Sequence, residues 1–281
     1  MSAIKKYFKE ETQWAMFGLE YPKPTDFYLS VWQGTRSSVP LLILRTLLFL
    51  TAVAIVLTSM ILYYLNNYLQ FWFIYLTHWG LMTIVLATGF SVAVSARVYF
   101  YGPISAEFCL PWYVKSYWVL YNIANPIAYL ITIFYWTVLY EAGVEEEFNP
   151  TLDVAVHGLN TAIMLLLLLS CSHQTRLLHI HHPLLLGLGW IIFSVIYYFA
   201  GGTDTKGNRY VYPVINWSNP GPTILVVILT ALGLLVLHAV TIGLSLTRDA
   251  LAPYCKPSVI SHVEEGTPLR QTQTQTTYYQ R

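Results

Sequence analysis

Charged side chains are scarce in this sequence. Only 10% of its 281 residues are Asp, Glu, Lys or Arg, whereas a typical soluble domain carries about a quarter. Hydrophobic residues reach 56%, and the mean hydropathy is +0.51. This composition excludes an ordinary soluble domain and predicts an integral membrane protein. The net charge of +1 leaves no basic footprint, so nucleic acid is excluded as a partner.

Cysteine is also scarce, with three residues in the chain. An odd number does not favour a disulfide framework. Cys109, Cys171 and Cys255 fall near predicted cytoplasmic ends of helices, where thiols stay reduced. Palmitoylation of Cys171 or Cys255 is an alternative to a purely structural role.

Long apolar runs, by contrast, are abundant. A helix needs roughly 20 apolar residues to cross the hydrocarbon core. The fifth of six such runs is short unless it begins near Leu178. We predict an all-α fold, a polytopic transmembrane bundle of about six helices. The predicted spans are residues 38–65, 71–96, 116–140, 150–171, 184–200 and 223–246.

The flanking sequence is polar and divides the chain into three parts. Residues 1–37 are mixed in charge and contain no cleavable signal peptide, so the first span is expected to act as a signal-anchor. We predict a cytoplasmic N-terminal segment at 1–37, a six-span domain at 38–246, and a cytoplasmic, largely disordered tail at 247–281. The tail has too little apolar surface to order itself.

Basic residues indicate the orientation of the bundle. With the N-terminus inside, only Lys206 and Arg209 of the 15 Lys and Arg residues fall in exterior loops. Arg45 lies within the first span and is expected to snorkel towards the cytoplasmic surface. Because cytoplasmic loops carry an excess of Lys and Arg, both termini are predicted to be cytoplasmic.

Polar residues within the spans are costly and point to a candidate site. Thr77 lies six residues into the second predicted span and His157 seven residues into the fourth, roughly 9 and 10 Å deep at the rise of an α-helix. Both helices run inward, so the two side chains share a level in the outer leaflet. Asn160 is at i+3 from His157, on the same helix face.

This layer has two interpretations. Thr77 could be a nucleophile activated by His157, with Asn160 orienting the imidazole or stabilising an oxyanion. Asp153, one turn nearer the surface, is then the one candidate carboxylate. Alternatively, Thr77 bonds its own helix backbone while His157 and Asn160 join helices together.

Other polar groups indicate less specific chemistry. Residues 173–182 contain four histidines but no accompanying acid or cysteine, so we predict interfacial histidines and no metal site. No cofactor is expected. Asn216, followed by Trp217 and Ser218, forms a glycosylation acceptor in a predicted exterior loop. Transport of a small solute is a weaker hypothesis, since no paired interrupted helices are visible.

Four blocks of sequence resemble the rolling stone family, multipass membrane proteins implicated in myoblast fusion. They are WFIYLTHWG at 72–80, residues 153–160, RLLH at 176–179 and GNRYVYPV at 207–214. With the apolar spacing between them, they cover most of residues 39–246. The resemblance implies a plasma-membrane protein, with the endoplasmic reticulum as the alternative, that acts in cell–cell fusion or membrane remodelling.

A more remote similarity is to the androgen-induced intramembrane threonine hydrolases, which cleave fatty-acid esters of hydroxy fatty acids. Thr77 matches their nucleophile, and His157-x-x-Asn160-Thr161 matches their His-x-x-His-Thr motif. Asn160 replaces the catalytic second histidine, and an amide cannot act as a base. Either His157, one turn earlier on the same face, acts as the base in its place, or the site binds lipid without hydrolysing it. The similarity implies membrane lipids, including fatty-acid esters, as partners. The residues predicted to line the pocket are His78, Trp79, Asn125 and Tyr212.

Overall fold

A computed structural model describes residues 8–105, 109–140 and 147–255. Within them, six helices are long and apolar enough to cross a membrane. The described residues form no strand, only an isolated bridge between Tyr212 and Ile215. The predicted all-α bundle of six helices is confirmed. The helices are α1 (Val39–Leu65), α2 (Leu76–Tyr101), α3 (Trp112–Leu139), α4 (Pro150–Ser170), α5 (Leu177–Phe199) and α6 (Pro220–Cys255).

The start of α4 follows directly from local sequence chemistry. The Asn149 side chain accepts hydrogen bonds from the Thr151 and Leu152 N–H groups at 2.8 and 3.3 Å, and Pro150 occupies the first helical position. These are the preferred residues at the N-cap and N1 positions. Residues in the left-handed conformation follow the C-terminal ends of α1 and α2. Asn67 (φ 62°) follows α1, and Gly102 (φ 82°) follows α2.

Helices α5 and α6 are longer than the apolar runs that predicted them. Helix α5 begins at Leu177, next to the early start considered at Leu178. Helix α6 continues to Cys255 and so includes the first nine residues of the predicted tail. The remaining part of that tail, residues 256–281, lies outside the described residues, as do residues 1–7 of the N-terminal segment.

Residues 8–37 pack against one end of the bundle. The Arg176 guanidinium donates to the carbonyl oxygens of Gly18 and Glu20 at 2.7 and 2.6 Å. Trp32 Nε1 donates to the Leu169 carbonyl at 2.6 Å, and Phe27 is fully buried. We call this the proximal end. The distal end is the opposite one, formed by residues 66–75, 147–149 and 200–219.

Arg45 does not snorkel, contrary to expectation. Its side chain is fully buried in the bundle, where it donates to Ser95 Oγ at 2.7 Å and to the Ser91 carbonyl at 3.1 Å. The guanidinium also lies 5.1 Å from the ring centroid of Tyr117. Because α2 and α3 supply acceptors and an aromatic face inside the bundle, the cation is retained there and does not extend to the surface.

Two of the helices contain π-helical turns that face each other. Residues Tyr135–Leu139 of α3 and Ala155–Leu159 of α4 are both π-helical. The rings of Tyr135 and His157 stack between them, with centroids 3.4 Å apart and an interplanar angle of 5°. Single π turns occur frequently at functional sites, and this pair lies towards the distal end.

Candidate functional site

An apolar cavity of about 360 Å³ lies between the start of α2 and helices α3, α5 and α6. Its walls are mainly aliphatic, and no charged side chain of the described chain lines them. Leu188 of α5 lines the cavity and is 54% exposed on the outside of the bundle, so the cavity reaches the bundle surface. Its volume is within the range of small-molecule sites in proteins.

Thr77 lies on the wall of this cavity and is 4% exposed. Thr83 and Thr88 of the same helix donate to carbonyl oxygens four residues earlier, at 2.9 and 2.7 Å. Thr77 makes no such bond to any described residue, and the carbonyl four residues before it, that of Phe73, accepts a hydrogen bond from Trp79 Nε1. Among the described residues, no hydrogen bond therefore joins the Thr77 hydroxyl to its own helix, and this hydroxyl faces the cavity.

Tyr212 also lines the cavity, and it fixes the start of α2. Its hydroxyl accepts a hydrogen bond from the Leu76 N–H at 3.0 Å. Trp190 of α5, another lining residue, donates from Nε1 to the Ile74 carbonyl at 3.0 Å. These two bonds hold the residues that precede Thr77 against α5 and the α5–α6 connection.

Three residues predicted to line the pocket do not line this cavity. His78 is fully buried and stacks on Trp72 with ring centroids 4.3 Å apart, because successive side chains of a helix point in different directions. Trp79 is held by the Phe73 carbonyl. Asn125 donates to a carbonyl of its own helix, that of Tyr121, beside the proline kink, and so has an architectural role.

His157 is fully buried and is oriented by an acid on its own helix. Its Nδ1 lies 3.1 Å from Asp153 Oδ1 and 3.2 Å from the Asp153 carbonyl oxygen. Because both oxygens act as acceptors, Nδ1 carries the proton and Nε2 presents a lone pair. Nε2 is buried and has no hydrogen-bond partner among the described residues. Such an imidazole has the arrangement of a general base.

Asp153 is itself held by two further donors. The Tyr135 hydroxyl lies 2.8 Å from both carboxylate oxygens, and the Glu147 N–H donates to Oδ1 at 3.2 Å. Tyr135 also lines the cavity and stacks on His157. It therefore belongs to both the cavity wall and the histidine–acid pair, although no hydrogen bond joins Thr77 to His157.

Asn160 does not orient His157. It is fully buried, and its Oδ1 accepts a hydrogen bond from Thr132 Oγ1 of α3 at 3.0 Å. Its Nδ2 has no partner among the described residues. The orienting role considered for Asn160 is filled by Asp153, because i,i+4 spacing brings Asp153 within reach of Nδ1.

Glu147 is the site residue that sequence reasoning missed. Its side chain is fully buried, and Oε1 accepts from Ser59 Oγ at 2.9 Å and faces His78 Nε2 at 3.4 Å. His78 Nδ1 is engaged by the Trp72 carbonyl, so both nitrogens of this ring have partners. His157 is thus the better placed of the two histidines to accept a proton. The one sequence signal for Glu147 was its position two residues before the N-cap residue Asn149.

The remaining predicted sites add no chemistry at this end. In the described part of the chain, no group of three or more His, Cys, Asp or Glu side chains could hold a metal ion. Asn216 is half-buried, and its Oδ1 accepts from the Ser218 N–H at 3.0 Å. Its glycosylation stays a prediction.

Comparison with known proteins identifies the family. The family model described as protein rolling stone matches residues 1–251. Protein rolling stone of Drosophila melanogaster is 30% identical over 225 residues, covering 76% of this chain and 80% of that protein. No solved structure matches the chain. The chain is therefore an integral membrane protein of the rolling stone family.

Proposed function

We propose that this protein holds the acyl chain of a membrane lipid in its distal cavity, and that through this it acts in the membrane remodelling of cell–cell fusion. The observation that carries the proposal is the uncharged cavity itself, inside a membrane-spanning bundle and reaching its surface at Leu188. A hydrocarbon chain loses no hydrogen bonds on moving there from the bilayer. Membrane fusion requires lipids to leave their lamellar packing, and a protein that takes up one chain perturbs that packing locally.

The proposed location is the plasma membrane, with both termini in the cytoplasm and the distal end outside. The basic residues support this orientation, since only Lys206 and Arg209 fall at the distal end. The Thr77 end of the cavity then lies in the outer leaflet, the leaflet that meets another cell first.

Gly187 provides a direct test of the link between cavity and fusion. It lies on the cavity wall, and a Cβ built on it meets no atom within 4 Å, so Gly187→Leu adds a side chain at the wall whose first carbon has room. Gly189, two residues on, has the same open surroundings but does not line the cavity. Cells expressing each variant at matched surface levels would be scored for mixing of cytoplasmic markers. We expect Gly187→Leu to lower fusion and Gly189→Leu to preserve it; equal fusion with both variants would contradict the proposal.

A second candidate function is hydrolysis of a lipid ester, favoured by the oriented His157 with its free Nε2. In that reaction Nε2 accepts the Thr77 proton while Oγ1 bonds to the ester carbonyl carbon. The alcohol leaves with that proton, and water then releases the acid and restores Thr77. The reaction requires the Thr77 hydroxyl and His157 Nε2 to come within hydrogen-bond reach. No hydrogen bond joins them in the described structure, so one of the two side chains would have to move.

The two candidates are separated by covalent labelling. Purified protein would be exposed to a fluorophosphonate probe, beside Thr77→Ala, His157→Ala and the control Thr83→Ala, whose hydroxyl is occupied by its own helix. Labelling that disappears in the first two variants and persists in the third supports the hydrolase. A folded protein that neither labels nor turns over an ester would exclude the hydrolase and leave the acyl-chain proposal to its own test.

A further inference from the structure

We infer that the lipid held in the distal cavity is uncharged, with a hydroxyl or ester carbonyl where other membrane lipids carry phosphate or carboxylate. The inference rests on the proposed acyl-chain binding and specifies the class of lipid. It follows from the charges around the cavity and from the hydrogen-bonding groups left free on its wall.

The cavity wall disfavours an anionic lipid head. No charged side chain of the described residues lines it, and the distal cations Lys206 and Arg209 are not among its lining residues, so a phosphate or carboxylate inside the cavity would have no cation to pair with. The buried acids Glu147 and Asp153 lie at this same end and would repel it. The buried arginines Arg45 and Arg248 belong to the proximal side, where hydroxyl, carbonyl and carboxylate oxygens occupy them. An unpaired anion in an apolar site is strongly disfavoured.

The polar atoms of the cavity wall are mostly occupied by the protein itself. Trp190 Nε1 donates to the Ile74 carbonyl, and the Tyr135 hydroxyl donates to Asp153. Thr77 differs, because the residue is 4% exposed on the wall and no hydrogen bond joins its hydroxyl to a described residue; Thr230 of α6, the other threonine of the wall, is only half-buried. A hydroxyl that faces an apolar cavity is stabilised when a ligand supplies a hydrogen bond.

Thr77 also stands in the first turn of a 26-residue helix, α2. The Leu76 N–H of that turn donates to Tyr212, whereas the next two N–H groups, those of Thr77 and His78, lack intrahelical acceptors, and the N-cap residue Tyr75 provides no side-chain cap. Hydroxyl and N–H together form a small donor set suited to one carbonyl or hydroxyl oxygen. The helix dipole contributes about half a positive charge there, which polarises a carbonyl but does not neutralise a full anion beside two buried carboxylates.

The lipid would therefore lie with its chain between α3, α5 and α6 and its oxygen at Thr77. Monoacylglycerols, diacylglycerols and other long-chain esters or alcohols have this chemistry. Phospholipids have it only in part, since their phosphate would have to stay outside the cavity.

Photocrosslinking in nanodiscs tests the inference with three probes that share one diazirine-bearing alkyl chain: a monoacylglycerol, an alkyl phosphate and the bare alkane. We expect the monoacylglycerol to label cavity residues roughly tenfold or more above the alkyl phosphate, given the cost of an unpaired buried charge. Thr77→Val, which keeps the shape of the side chain, should lower monoacylglycerol labelling about three- to tenfold, the equivalent of one hydrogen bond. Alkane labelling should not change in that variant.

The outcomes distinguish this inference from the proposed function. Equal or stronger labelling by the alkyl phosphate, or monoacylglycerol labelling that Thr77→Val leaves intact, would overturn the uncharged-lipid assignment while acyl-chain binding stands. If no probe labels the cavity residues more strongly than it does in the Gly187→Leu variant, acyl-chain binding itself fails, and the uncharged-lipid assignment fails with it.

Discussion

The imidazole of His157 donates a hydrogen bond to the Asp153 carboxylate across 3.1 Å, and the two residues are four apart on α4. The bond fixes the tautomer in which Nδ1 carries the proton and Nε2 does not. Nε2 has no hydrogen-bond partner among the described residues. Tyr135 stacks on the ring and also holds the carboxylate. Three side chains thus form one rigid unit next to the cavity, and its integrity can be measured without knowing the ligand.

Asp153→Asn should destabilise the protein and release His157. The amide keeps one acceptor oxygen but loses the charge that strengthens these bonds, so we expect a loss of about 2 kcal/mol. Thermal unfolding in detergent or nanodiscs measures it. Glu20→Gln is the control, because this carboxylate is 68% exposed in its ion pair with Lys115 and should change stability little. Equal effects of the two substitutions would show that the buried pair has no special role.

Tyr212→Phe should loosen the start of α2. The substitution removes the hydroxyl that accepts the Leu76 N–H and leaves the ring in place. We expect a loss of about 1 kcal/mol, seen as faster hydrogen exchange at residues 74–78. Unchanged exchange in this variant would mean that Trp190 alone holds the segment.

Acid should destabilise the proximal end through His173, which lies between α4 and α5. Burial, then the neighbouring Arg248 and Arg45, holds its pKa well below the usual value of 6.5. The unfolded chain therefore binds a proton that the folded protein does not, so stability is complete above 6.5 and falls as the pH drops below it. Thermal melting from pH 8 to 5 should show this fall, and His173→Gln should reduce it; His179 and His238, which are also buried, keep their own contribution. A profile unchanged by the substitution would assign the acid sensitivity elsewhere.

Surface labelling tests the proposed orientation. Lys206 is exposed and is the lysine of the predicted exterior loops. An impermeant amine reagent applied to intact cells should label the protein, and Lys206→Arg should abolish the signal. Lys115→Arg, on the opposite side of the membrane, should leave it intact. Labelling that depends on Lys115 would reverse the orientation.

The sequence predicted those features that depend on neighbours along the chain. Asn149 and Pro150 specify the start of α4, and the spacing of Asp153 and His157 already placed them on one helix face. Glu147 was not predictable as a buried group, because its partner Ser59 lies 88 residues away. Arg45 was misjudged for the same reason: its partner hydroxyl, Ser95, lies 50 residues away.

The cavity itself depends on helix packing that the apolar pattern leaves open. Hydrophobicity all around α5 and α6 identified them as spans but did not show which face meets α3. The sequence pattern also did not predict the π turns of α3 and α4, which stack Tyr135 on His157. Thr77 and Tyr212 line the cavity, whereas His78 and Trp79 do not.

The most direct test of acyl-chain binding is the position at which a lipid chain contacts the protein. Protein in nanodiscs that contain a diacylglycerol with a diazirine in its acyl chain would be irradiated and digested, and the crosslinked residues would be mapped. We predict crosslinks at the cavity residues of α5 and α6, within 184–191 and 227–234, that Gly187→Leu removes and Gly189→Leu preserves. Crosslinks spread evenly over the outer faces of all six helices, unaffected by Gly187→Leu, would contradict the account.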